Sequence, residues 1–150
     1  MVQRVSSARV VVEGEVVGEI GTGLCILLGV AREDSEAEAE RLAGRIARLR
    51  IFENDKGRFD RSVLDVGGQA LVVSQFTLIA DSKGQKGTRP DFSGAATKDH
   101  AEPLYERFCE VLEKLGVPLQ KGVFGARMAV ELANDGPATI VLDLGFERPT

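Results

Sequence analysis

The apolar positions of this chain fall into two rhythms, and each predicts a different kind of element. Val2 to Glu13 alternates loosely and then turns β-branched at Val10, Val11 and Val12. Glu13-Gly14-Glu15 supplies a turn, and Val16 to Ile20 returns, the pattern of a β-hairpin. After Gly21 and Gly23, Leu24 to Val30 is the most apolar run in the chain and reads as a central strand covered on both faces. From Ser35 to Arg50 the spacing changes to helical. Ala39, Leu42, Ile46 and Leu49 share one face, and Ser35 with Glu38 forms a capping box. Asn54-Asp55-Lys56-Gly57 marks a turn between two short strands, and Ser62 to Gly68 is an irregular connector. A second helix is predicted over Asp99–Leu115, with the stripe Leu104, Phe108, Val111, Leu112 and Leu115 and the stop Gly116 and Pro118. Three strands follow, at roughly 119–124, 128–133 and 139–145, with Asn134-Asp135-Gly136-Pro137 as a tight turn between the last two. The whole reads as one α/β domain over residues 1–150, with mixed strands and two helices.

One stretch breaks its own pattern. Leu71-Val72-Val73 begins as a buried strand, but Ser74, Gln75 and Thr77 then place two hydroxyls and a carboxamide in an otherwise apolar run ending at Ala80. Buried polar side chains cost free energy unless they find partners. Three of them at a strand end, next to a loop, are the makings of a site rim as much as of ordinary strand structure. The loop Asp81 to Gly94 has no apolar period and carries Lys83, Lys86 and Arg89. Its glycines and cations suit either a phosphate grip or a solvated surface. Gly136-Pro137 is a candidate for a cis peptide that turns two bare carbonyls outward, or for a plain hairpin turn. Arg4, near the start of the first strand, reads as a surface cation on local evidence alone.

Composition narrows the function classes. A net charge of -4 over 150 residues argues against coating nucleic acid through bulk charge, though not against a local basic patch. The two cysteines, Cys25 and Cys109, sit in apolar periodic segments and read as packing residues. There is no CxxC pair and the one histidine, His100, stands at a helix entrance, so neither a structural zinc site nor a histidine base is expected. No apolar run is long enough to span a membrane and no signal-peptide pattern opens the chain; the expected compartment is the cytoplasm.

Two short motifs then stand in order: Ser74-Gln75-Phe76-Thr77-Leu78 and Asn134-Asp135-Gly136-Pro137-Ala138-Thr139. With them come the opening Gln3-Arg4-Val5, the segment Lys86-Gly87-Thr88-Arg89-Pro90 with Phe92, and Phe124-Gly125 followed by Met128. Together these resemble the D-aminoacyl-tRNA deacylase (D-tyrosyl-tRNA deacylase) family nearly end to end. One departure is Asp91, which stands where the family's loop carries a small hydroxyl residue.

The resemblance implies a mostly antiparallel mixed sheet with two helices, and a homodimer whose active sites are completed across the subunit interface. It implies hydrolysis of the ester of D-aminoacyl-tRNA, with glycyl esters also accepted and no metal or cofactor. Ser74, Gln75, Phe76 and Thr77 would hold the terminal adenosine and polarise the ester carbonyl. Gly136 and Pro137, with Asn134, would present carbonyls that take the α-ammonium and exclude an L side chain. Arg4 would brace that turn, Phe124 and Met128 would line the pocket, and Lys86 and Arg89 would contact tRNA. Thr77 as a nucleophile requires a neighbouring base that the sequence does not offer. The alternative, preferred here, is positioning of substrate and water with help from the ribose 2′-hydroxyl. Two other readings stand beside this one: a non-enzymatic nucleic-acid-binding protein of the same fold, and a hydrolase of small D-aminoacyl esters.

Overall fold

The long first strand, β1 (Val2–Val12), is the seam of the molecule. In the computed structural model, which describes residues 1–80 and 87–144, one edge of β1 is shared by two partners. Its first residues pair antiparallel with β3 (Gly23–Leu28), and its later ones pair antiparallel with β2 (Glu15–Ile20). The other edge carries β8 (Ala129–Ile140), also antiparallel. Beyond β3 come β6 (Gln69–Ser74) and then β7 (Leu119–Lys121), both joined in parallel. The order β2-β1-β3-β6-β7 curls on itself: a Cβ on Gly18 of β2 would stand 2.7 Å from the Lys121 carbonyl of β7. The first and last strands of that row therefore meet, and the sheet is a nearly closed barrel. A short pair, β4 (Phe52–Glu53) and β5 (Phe59–Arg61), forms a separate hairpin.

Period-two alternation sends neighbouring side chains into two cores. Leu24, Ile26 and Leu28 of β3 and Ala70 and Val72 of β6 face the helices, while Cys25, Leu71 and Val73 face Val5, Val10 and Ile20 inside the curl. That is why these two strands are apolar at nearly every position. Helix α1 (Glu36–Arg48) and helix α2 (Lys98–Lys114) cover the outer core with Ala43, Ile46 and Ala47 against Leu104, Phe108 and Leu112. At the start of α1 the Glu38 carboxylate accepts a hydrogen bond from the Ser35 N–H at 2.7 Å and another from its hydroxyl. Those bonds hold the Glu38 carboxyl below its usual range. Burial pushes the Cys25 thiol up to about 11 and the Cys109 thiol up to about 12, so both pack as neutral groups.

Three expectations need correction. The segments 128–133 and 139–145 are not two strands joined by a tight turn. The described part is one strand, β8, that runs along β1 on both sides of the motif. Between the pairs Gln3↔Thr139 and Val5↔Asn134, β1 advances two residues while β8 advances five, so Asp135 to Ala138 is extruded as a wide bulge. β7 stops at Lys121, not at Phe124. Helix α2 begins at Lys98, one residue before the expected Asp99, with Thr97 at its N-cap and Pro103 inside it. Lys83 and Lys86 lie outside the described residues, as does Gly145 at the end of the expected last strand.

Candidate active site

The pattern break after Val73 has a structural cause. β6 ends at Ser74, the Gln75 N–H still reaches the Leu28 carbonyl at 2.8 Å, and Phe76–Leu78 then closes one 3₁₀ turn. Strand becomes turn within two residues, which lifts Gln75, Phe76 and Thr77 out of the sheet. The Gln75 carboxamide donates to the Thr77 hydroxyl at 2.9 Å and holds it. The Leu78 and Ile79 N–H groups bond back to the Gln75 and Phe76 carbonyls, whereas those of Phe76 and Thr77, which open the turn, have no acceptor within it. The Phe76 ring is 59% exposed and meets Phe92 edge-on, with centroids 5.2 Å apart.

These residues form one wall of an open pocket of about 320 Å³. The connection after β7 supplies the second wall with Phe124, Gly125, Ala126 and Met128, and the entrance of α2 supplies the third with Ala96, Lys98 and Ala101. Phe124 is set by Tyr105, its ring 5.7 Å away; the Tyr105 hydroxyl in turn donates to the Val72 carbonyl at 2.8 Å. Burial raises the Tyr105 phenol well above its usual range, so it is a fixed donor. Lys98 is the one ionisable side chain lining the pocket among the described residues. His100 does not line it, and its Nε2 pairs with the Asp34 carbonyl at 2.8 Å. Among the described residues no cluster of His, Cys, Asp and Glu could hold a metal ion.

Arg4, Asn134, Gly136 and Pro137 gather elsewhere and do not line this pocket. Arg4 is buried, against the surface position that local evidence suggested. Its Nε donates to the Asp135 carbonyl and its Nη1 to the Ile51 carbonyl, each at 2.9 Å. Glu53 lies 3.5 Å from its Nη2, and the Phe59 ring lies beneath the guanidinium. Arg4 thus ties the β4–β5 hairpin to the bulge of β8. Within the bulge, Asn134 donates to the Thr139 hydroxyl at 2.9 Å and accepts from the Ala138 N–H at 2.9 Å. Gly136 has φ +132°, and a Cβ there would stand 2.8 Å from the Arg4 Nη2, so the position admits only glycine without strain. The Gly136-Pro137 peptide is cis, and both residues are exposed.

Arg89 is exposed and lies outside the pocket lining, and Lys86 is not among the described residues. Asp91 accepts from the Ser93 N–H at 2.8 Å, which lowers its carboxyl and gives that departure a local role in shaping the loop. A wider hollow of about 740 Å³ lies between β1, β2 and β8 and contains none of these motif residues. Sequence reasoning did not reach Lys98, Ala96 or Ala101, because which face of a helix entrance meets a strand end is a long-range fact.

This curled sheet is shared with a solved structure titled as a probable eukaryotic D-amino acid tRNA deacylase, at TM-score 0.72 and 16% identity, over 89% of this chain and 92% of that one. That likeness defines the fold. A closer solved structure, of a c-Myc DNA Unwinding Element Binding Protein, matches at TM-score 0.87 and 43% identity over 95% of each chain. The family model described as D-Tyr-tRNA(Tyr) deacylase matches residues 1–143, and the chain belongs to that family. Proteins named D-aminoacyl-tRNA deacylase are similar along nearly their whole length. That of Roseiflexus castenholzii is 57% identical over 99% of this chain and 93% of its own. That of Thermus aquaticus is 52% identical over 99% and 96%. By family the chain is an enzyme, a hydrolase acting on aminoacyl-tRNA.

Proposed function

We propose that this chain, as one deacylase domain over residues 1–150, hydrolyses the ester of D-aminoacyl-tRNA to free tRNA and D-amino acid, and that it works in the cytoplasm as a homodimer. The observation that carries the proposal is the separation of its two motifs. Ser74 to Thr77 open into a pocket that Gly136 and Pro137 of the same chain do not line. A second copy is the simplest means of bringing the exposed bulge over that pocket.

In the assembled site the terminal adenosine stacks on Phe76, with Phe124 and Met128 behind the aminoacyl group. The main-chain N–H groups beside Thr77 face the ester carbonyl and stabilise the oxyanion that forms on it. Carbonyls of the partner's bulge accept from the α-ammonium and occupy the space an L side chain would need. Main chain rejects one hand without choosing among side chains of the other, so glycyl esters pass as well. Thr77 acts as a positioning group. Its hydroxyl is held by a carboxamide, which is no base, and the pocket contains no carboxylate or imidazole among the described residues. The ribose 2′-hydroxyl assists the attacking water instead.

The test is cleavage of matched D-tyrosyl-tRNA and L-tyrosyl-tRNA by wild type and Thr77→Ala. The expected result is loss of the D ester alone, with Thr77→Ala retaining activity. A folded but inactive Thr77→Ala returns the nucleophile mechanism, and a wild type that touches neither ester refutes the proposal. The name of the 43% identical structure favours one second reading, nucleic-acid binding without catalysis. Its mark would be a salt-steep affinity for DNA or RNA with both esters left intact.

A further inference from the structure

The substrate carries its charge outside the ester. Beyond the esterified sugar, the terminal nucleoside is joined through its 5′-oxygen to a phosphodiester, and that phosphate must leave the pocket over one of its walls. Two walls are neutral where they line the pocket: Ser74 to Thr77, and the segment from Phe124 to Met128, whose Arg127 is exposed and does not contribute to the lining. The third wall is different. Lys98 lines the pocket, is exposed, and makes no ion pair with any described residue, although Asp99 follows it and Glu102 stands one turn on. It is also the first residue of α2, a 17-residue helix whose opening donors have no intrahelical acceptor. The first N–H in that turn to bond back is that of His100, to the Thr97 carbonyl, and the Thr97 side chain makes no cap bond. A cation on a flexible stem and the positive end of a helix dipole thus open on the same mouth.

We propose that Lys98 binds the phosphate on the 5′ side of the terminal nucleotide and so sets how deeply the acceptor end enters the pocket. The assignment rests on the deacylase reading above and adds a binding residue to it. Lys98 acts as a point charge on a phosphate, so it holds the strand in register and reads no base. The contact is made equally in the ground state and the transition state, and its loss falls on KM rather than kcat.

The experiment compares wild type, Lys98→Gln and Lys114→Gln. The last removes the same charge from the far end of the same helix. Each is assayed on D-tyrosyl-tRNA, on the D-tyrosyl ester of adenosine 5′-monophosphate, and on the D-tyrosyl ester of adenosine. Lys98→Gln is expected to lower kcat/KM about fivefold on the two phosphate-bearing esters, through KM, and to leave the adenosine ester unchanged. The slope of log(kcat/KM) against log[salt] on tRNA becomes shallower by about one. Lys114→Gln tracks wild type on all three. Equal rates for Lys98→Gln and wild type on the phosphate-bearing esters overturn the assignment, as does an equal loss on all three substrates. A wild type that cleaves none of them refutes the deacylase reading itself, an outcome distinct from either.

Discussion

Replacing Arg4 with lysine separates charge from shape at the joint between hairpin and bulge. The guanidinium side chain is 7% exposed and bonds two main-chain carbonyls in different directions, Asp135 and Ile51, each at 2.9 Å. A hydrogen bond from a charged donor contributes about 1.5–3 kcal/mol. Lysine keeps the charge, but its single ammonium cannot span both acceptors as the planar fork does. At least one bond is lost, and Arg4→Lys should cost about 2 kcal/mol. Glu53 and Asp135 have side chains 49% and 63% exposed, so water screens them and they add little to this figure. The assay is urea unfolding at one fixed protein concentration, read as a lower midpoint with an unchanged slope. In parallel, the ratio of D-tyrosyl to L-tyrosyl ester cleavage should fall as the bulge loses its brace. A variant within about 0.5 kcal/mol of wild type would refute the fork as the holding element. Glu53→Gln, which leaves both carbonyl bonds intact, should cost less than about 1 kcal/mol.

Three further outcomes follow from the packing. Gly23→Ala drives a Cβ to 1.8 Å from the Gln69 carbonyl oxygen and should cost more than about 3 kcal/mol, whereas Gly21→Ala, with nothing within 4 Å, should stay within about 0.5 kcal/mol; equal melting shifts would contradict the parallel β3–β6 pairing. Phe76→Ala should raise KM for D-tyrosyl-tRNA about tenfold through lost base stacking while shifting stability by less than about 1 kcal/mol, because the ring is 59% exposed; an unchanged KM would remove it from the adenosine platform. Stability should fall as pH rises above 9.0, the ordinary value of both thiols, toward about 11, where Cys25 titrates in the fold. In that window the unfolded chain has released protons that the folded chain keeps, so the slope is negative, about 1.4 kcal/mol per pH unit for each thiol, and Cys25→Ala should flatten it.

Local rules decided much of this protein from sequence alone. The stripe Ala39, Leu42, Ile46 and Leu49 with Ser35 and Glu38 placed α1, and Leu104, Phe108 and Leu112 placed α2, because helix periodicity and capping act over a few residues. The unbroken apolar runs of β3 and β6 announced strands covered on both faces. The polar interruption at Ser74, Gln75 and Thr77 marked the pocket wall that these residues form. Tertiary structure decided which strands pair. Periodicity tells which way a side chain points, not which strand lies beside it, so the parallel β3–β6 ladder and the closure at Gly18 had no local signal. The same holds for Asn134 to Ala138. Turn chemistry predicted a hairpin, but β1 is long enough to pair with the chain on both sides of the motif, and the extra residues are extruded as a bulge. Arg4 looked like a surface cation until Ile51, Glu53 and Asp135 closed around it, and Lys98 became a pocket residue only when α2 docked beside the end of β6. Each of these depends on contacts between residues distant in the chain, where loop closure and shared burial, rather than neighbouring residues, set the outcome.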